Sequence, residues 1–137
     1  NYIDDEMQKI EIYKKIASID SKEAMLDIQE ELEDRFSDIP NSVDNLMNIA
    51  YIKALANKLG IQEIKEKPTE VVIKFVNRNF ISEDLVRYII NKYSRKIIFK
   101  MGEEPAIGYQ LRDIKKEELI PALKELLEYL QGAVETK

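Results

Sequence analysis

The hydrophobic period of this chain changes at Gly60, and that change constrains the fold more than any single residue does. Upstream, apolar side chains recur at spacings of three and four, the signature of amphipathic helices. Val43, Leu46, Met47, Ile49, Ala50, Leu55, Ala56 and Leu59 form the last of these rows. Downstream, 61–65 and 70–76 are short and rich in β-branched residues, with Glu66-Lys67-Pro68-Thr69 between them. They read as two strands of a hairpin. The expected class is therefore α+β: an N-terminal helical sub-bundle packed beside a small, mainly antiparallel four-stranded sheet covered by helices.

Taken in order, the first helix is expected over about 5–18, with Met7, Ile10, Tyr13, Ile16 and Ala17 inward and Asp4 or Asp5 as cap. Asp20 with Glu23 three positions on reads as a capping box for a second helix, whose apolar row is Ala24, Met25, Ile28, Leu32 and Phe36. Pro40 ends it, because proline disfavours the helical region for the residue before it. A third helix follows from Ser42 or Val43, closed by Lys58 and by Gly60 in the left-handed position. After the two strands, Leu85, Val86, Ile89 and Ile90 mark a helix over 83–93. Strands are expected over 96–100 and 106–111, and a last helix over 117–130 that accommodates Pro121 only in its first turn. The tail, 131–137, is expected to fray. Everything is expected within one domain spanning 1–137, helical over about 5–60 and mixed over about 61–130.

Composition closes off most chemistries. The 137 residues contain no Cys and no His, which removes disulfides, thiol nucleophiles, imidazole relays and Cys/His zinc sites. Gly102 and Gly108 fit no phosphate-binding loop, so no cofactor is expected in this domain. No apolar run reaches the roughly 20 residues that span a bilayer; no membrane partner and a cytoplasmic location are the expectation. The start at Asn-Tyr-Ile rather than Met reads as a piece of a longer polypeptide. A formal net charge of −5, from 26 acidic and 21 basic residues, disfavours duplex binding and favours a basic protein surface as partner.

The acids concentrate where the second helix ends. Glu30, Glu31, Glu33 and Asp34 surround a single basic residue, Arg35, just before Phe36 and Pro40. Glu31 and Asp34 stand three apart and Glu30 and Asp34 four apart, spacings that share a helix face. Three readings stay open from pattern alone: a solvated surface, a protein-docking patch, or a paired-acid site for a small carboxylate-dependent hydrolase. The last needs a cleft that separates two carboxyl pKa values. A second, weaker cluster is basic: Arg78, Lys92, Arg95, Lys96 and Lys100, with Tyr93 among them. It would serve a nucleic-acid-contacting accessory domain.

Several stretches together carry a resemblance: Ile12-Tyr13-Lys14-Lys15-Ile16-Ala17-Ser18, then 30–40 with its acidic-Arg35-Phe36 corner, then Ile49-Ala50 and Ala56-Asn57-Lys58-Leu59-Gly60-Ile61. In order and spacing they resemble the C-terminal domain of the bacterial transcription-repair coupling factors, the Mfd family. The first half resembles it in residues, the second half in pattern. Ser37 departs from the family's usual glycine. The resemblance implies a non-enzymatic segment of an ATP-dependent DNA translocase that displaces stalled RNA polymerase and recruits UvrA. ATP with magnesium would be bound elsewhere in the parent, whose motor is of helicase type without strand separation. The resemblance further implies an autoinhibitory, monomeric domain that packs on the UvrB-like N-terminal module of the same parent and masks the UvrA-binding surface. It assigns the docking to Glu31 and Asp34, with Glu30 and Arg35 beside them, and the corner to Phe36, Pro40 and Gly60. RNA polymerase and double-stranded DNA would be reached only through the full protein.

Overall fold

A computed structural model describes residues 2–35 and 41–135. The corner residues Phe36, Ser37 and Pro40 lie outside the described residues. The elements are helices α1 (Tyr2–Ala17), α2 (Lys22–Arg35) and α3 (Asn41–Leu59), strands β1 (Ile61–Glu66) and β2 (Glu70–Phe75), helix α4 (Glu83–Tyr93), strands β3 (Ile97–Lys100) and β4 (Ala106–Gln110), and helix α5 (Leu119–Glu135). Short 3-10 turns, Ser94–Lys96 and Lys116–Glu118, lead into β3 and α5. The fold is α+β with a four-stranded, wholly antiparallel sheet, as the change of period implies. The chain divides into two compact units, Asn1–Leu55 and Ala56–Lys137, and the division falls inside α3.

The first unit is helical. Its buried apolar side chains are Ile16, Ile19, Met25, Leu32, Met47, Tyr51, Ile52 and Leu55. Ser21, not Asp20, caps α2: its Oγ accepts from the Ala24 amide at 3.1 Å. The helix begins at Lys22, so the capping position is 21, and the expected Asp20–Glu23 box is one residue out of register. Asp4 and Asp5 are likewise not caps, because α1 already runs from Tyr2. On α1 only part of the expected apolar row is covered: Ile16 is buried, whereas Ile10 and Tyr13 are each 52% exposed.

In the second unit the sheet order is β1-β2-β4-β3. Gly60 takes φ +72°, a conformation that glycine adopts without the Cβ penalty. Its carbonyl accepts from the Val76 amide at 2.8 Å, which ties the end of α3 to the end of β2. The registers Val71–Tyr109–Ile97 and Ile73–Ile107–Phe99 put these side chains on one face. Tyr93 of α4 meets Tyr109 edge-on at 5.9 Å, so α4 lies over that face. Leu85, Ile89 and Tyr93 are its inward row; Ile90, expected inward, is 47% exposed because it lies about 100° around the helix from Ile89.

Helix α5 does not fray at 131 but continues to Glu135. Leu126, Leu127 and Leu130 are fully covered and Ala133 is buried, so the apolar row carries the helix past the expected end. A reciprocal pair of hydrogen bonds joins it to α4. The Tyr88 hydroxyl donates to the Tyr129 carbonyl at 2.9 Å and the Tyr129 hydroxyl to the Tyr88 carbonyl at 2.6 Å. The two rings stack at 4.2 Å. Gly132 makes room for this lock, since a Cβ there would stand 2.9 Å from the Tyr88 hydroxyl. Pro121 sits in the first turn of α5, where its missing N–H leaves no gap in the ladder.

Candidate functional site

Helix α2 is held by two deeply buried side chains, Met25 and Leu32, seven residues apart on its inner face. Everything opposite them is exposed, and it is acidic. Glu23, Asp27, Glu30 and Asp34 follow one another at spacings of four, three and four, so their carboxylates form one continuous row, with Glu33 exposed beside it. Leu26, 48% exposed, adds an apolar side chain to this surface. Like charges at these spacings repel, and an isolated helix is weakened by them.

Glu31 is different from its neighbours. It is half-buried on the flank of α2 that faces α1, and its Oε1 accepts a hydrogen bond from the Lys15 ammonium. That bond, with the Lys15 and Arg35 charges behind it, holds the Glu31 carboxyl below the usual carboxylate range. The structure thus separates the two acids named from the sequence. Asp34 stays in the outward row with Glu30, while Glu31 clasps α1 to α2. Arg35 is exposed at the end of the helix, four residues on from Glu31.

The basic cluster does not assemble as one surface. Arg78 spends its Nε and Nη2 on the Glu103 carbonyl at 3.1 and 2.8 Å. Lys92 pairs with Glu125 at 3.0 Å, and Lys100 with Glu70 at 3.0 Å. Glu70 also accepts from Gln110, and its carboxyl is lowered by Lys100 first and Gln110 second. Arg95 and Lys96 instead line a cavity of about 530 Å³, joined by Arg112, which no local pattern singles out. None of three cavities among the described residues holds a pair of carboxylates. The 530 Å³ cavity has one carboxylate, Asp113, and two smaller ones, lined by 68–69 with 110–112 and by Asn77, Asn79, Phe80 and Leu85 with 133–134, have none. Glu31 and Glu70 both shift downward, opposite to what a proton-donating acid requires. No group of three or more Asp or Glu among the described residues is placed to hold a metal ion. No helix among them is long and apolar enough to cross a membrane.

Comparison with known proteins decides the family. The family model of the TRCF domain matches residues 1–85, which include all of α1, α2 and α3. The chain belongs to the TRCF domain family. The transcription-repair-coupling factor of Borreliella burgdorferi is 32% identical over 120 residues, covering 88% of this chain and 11% of that protein. Its counterpart in Staphylococcus aureus strain USA300 is 46% identical over 66 residues, 48% of this chain and 6% of that protein. This TRCF domain therefore spans about a tenth or less of the length of these relatives. A crystal structure of the C-terminal domain of transcription-repair coupling factor superposes with a TM-score of 0.82 at 29% identity. It covers 99% of this chain, and this chain covers 86% of it. The likeness of fold thus runs well beyond residue 85, where the family model stops.

Proposed function

We propose that this TRCF domain is an autoinhibitory protein-interaction module of a larger ATP-dependent DNA translocase, one that removes stalled RNA polymerase and recruits nucleotide excision repair. In the resting state it docks on the N-terminal UvrB-like module of the same parent and masks the surface that binds UvrA. The observation that carries this reading is the row Glu23, Asp27, Glu30 and Asp34 on the outer face of α2. Its mutual repulsion is relieved when basic side chains of a partner interleave with it, so the row favours the docked state over the free one. Interfaces that must open are modest and polar, and charge pairing gives them register and rapid association more than raw affinity.

Within this reading Asp34 and Glu30 meet the partner, while Glu31 acts at one remove by fixing α2 against α1. The test is calorimetric titration of the 137-residue chain with the N-terminal module, repeated with Glu30→Lys/Asp34→Lys. About a tenfold or greater loss of affinity is expected, which corresponds to ~1.4 kcal/mol. In the full-length parent the same double substitution should raise UvrA binding and basal ATP hydrolysis together, since population of the open state controls both. Undiminished docking with both charges reversed would sink the proposal.

A further inference from the structure

Several cations around the sheet and α4 are already matched. Lys74, Arg87, Lys92 and Lys100 each form a salt bridge, and Arg78 is bound to a backbone carbonyl. Arg95, Lys96 and Arg112 form none among the described residues, and all three line the same 530 Å³ cavity, with Asp113 as its single acid. A second cavity, of about 380 Å³, is lined by Pro68, Thr69, Gln110, Leu111 and Arg112. The two share Gln110 and Arg112, so they adjoin at one end of the sheet.

Local geometry brings these side chains together. Ser94 has φ 51° and ψ −121°, the one positive-φ residue other than glycine among the described residues. That strained turn stops α4 and sets Arg95 and Lys96 directly before β3. Strain of this kind persists where the surrounding structure over-determines it, and it concentrates at working sites. Across the gap, the Leu111 amide donates to the Thr69 carbonyl at 3.0 Å and the Ile114 amide to the Leu111 carbonyl at 3.1 Å, which fixes the backbone that carries Arg112. The negative end of the α4 dipole accounts for basic residues at 95 and 96. It does not account for Arg112, which follows β4.

We propose that this groove binds a short acidic peptide segment of a partner protein. Arg95, Lys96 and Arg112 hold its carboxylates, and Ile98 and Ile114 take an adjoining apolar side chain. Ile98 is 50% exposed at the groove, which suits an apolar residue between acids. A nucleic-acid backbone fits less well: it calls for a longer run of cations than the three that line this groove, and it offers no apolar side chain for Ile98 and Ile114. The site uses the opposite charge and a different unit from the α2 row, so it stands or falls independently of the docking proposed above.

The test is an amide-shift NMR titration of the 137-residue chain with a blocked peptide of sequence Glu-Glu-Leu-Asp-Glu-Leu-Glu. Parallel titrations use inorganic phosphate and an oligothymidylate of similar charge. Saturable shifts are expected at 94–96 and 110–114, and Arg95→Glu/Arg112→Glu should raise the Kd about tenfold. Lys9→Glu, a reversal outside the groove, should leave it within about twofold. Should the double reversal lose its dispersed spectrum, Arg95→Gln/Arg112→Gln gives the same comparison with less perturbation. Absence of saturable shifts, an equal effect of Lys9→Glu, or tighter binding of phosphate or oligothymidylate at the same amides would each overturn the proposal.

Discussion

The two units handle their apolar side chains differently. In the second, Ile73, Ile89, Ile107, Leu126, Leu127 and Leu130 are each 0% exposed, and α4 and α5 are bolted together by the Tyr88–Tyr129 lock. In the first, Met47 and Leu55 are the only large side chains among the described residues covered to a comparable degree, and the tie between α1 and α2 includes a surface ion pair. Hydrophobic burial is the dominant favourable term in folding, so the second unit holds the deeper reserve of stability. The docking proposed for α2 would use exposed side chains, where substitutions cost the fold least.

The largest expected effect comes from testing that contrast directly. Leu127→Ala removes a fully covered side chain and should cost about 3 kcal/mol, read as a lower urea midpoint at constant slope. Leu26→Ala, at 48% exposure in the wild type, should stay within about 0.5 kcal/mol. Equal losses from the two would break the comparison.

Smaller, and specific to the second unit, is the tyrosine lock. Gly132→Ala gains helix propensity but pushes a methyl group toward the Tyr88 hydroxyl, 2.9 Å from the added Cβ. Displacing that hydroxyl loses its bond to the Tyr129 carbonyl, for a net cost of about 1 kcal/mol. Tyr88→Phe removes the obstacle and the bond together, so the double variant should be less destabilised than the sum of the singles. Additivity would show that Gly132 is not there for the hydroxyl. Tyr93 gives the opposite sign. Its hydroxyl is buried with no hydrogen-bond partner among the described residues, and burial pushes its ionisation well above the ordinary tyrosine range. Tyr93→Phe should therefore stabilise, by about 1 kcal/mol or roughly 3 °C in Tm, provided the ring contacts with Tyr109 and Tyr129 stay intact.

The change of period at Gly60 was enough to read the class and the order of elements, because alternation and the 3.6-residue repeat are imposed by backbone geometry alone. Exact ends were less legible. Ser21 and Asp20 are both good caps, and only the register of α2 chooses between them. The end of α5 depends on what Ala133 packs against, which no local pattern contains. At the candidate site, spacing correctly placed the acids on one helix but could not separate Glu31 from Asp34. That distinction comes from Lys15, sixteen residues away, and is tertiary. Arg112 is illegible from local pattern for the same reason: it joins Arg95 and Lys96 only through the pairing of β3 with β4.

The last comparison lies within α2 itself and predicts the smallest effects on folding. Glu31 has a carboxyl lowered by Lys15 in the folded state, so its contribution is present above the ordinary value of 4.5 and is lost as pH falls through the depressed folded value. Glu31→Gln should accordingly lower Tm at pH 7, and the difference from wild type should close as the pH falls through the depressed folded value. Glu30→Lys/Asp34→Lys should do neither. These side chains are exposed, and reversing them makes the 27–30 step attractive and puts the two lysines toward the C-terminal end of the helix, so Tm at pH 7 should be unchanged or slightly raised. A chain that keeps its Tm with Glu30 and Asp34 reversed but loses docking has its recognition separable from its fold. If instead Glu30→Lys/Asp34→Lys lowers Tm as Glu31→Gln does, the acidic row is part of the helical unit's own stability, and its use as a docking surface loses its main support.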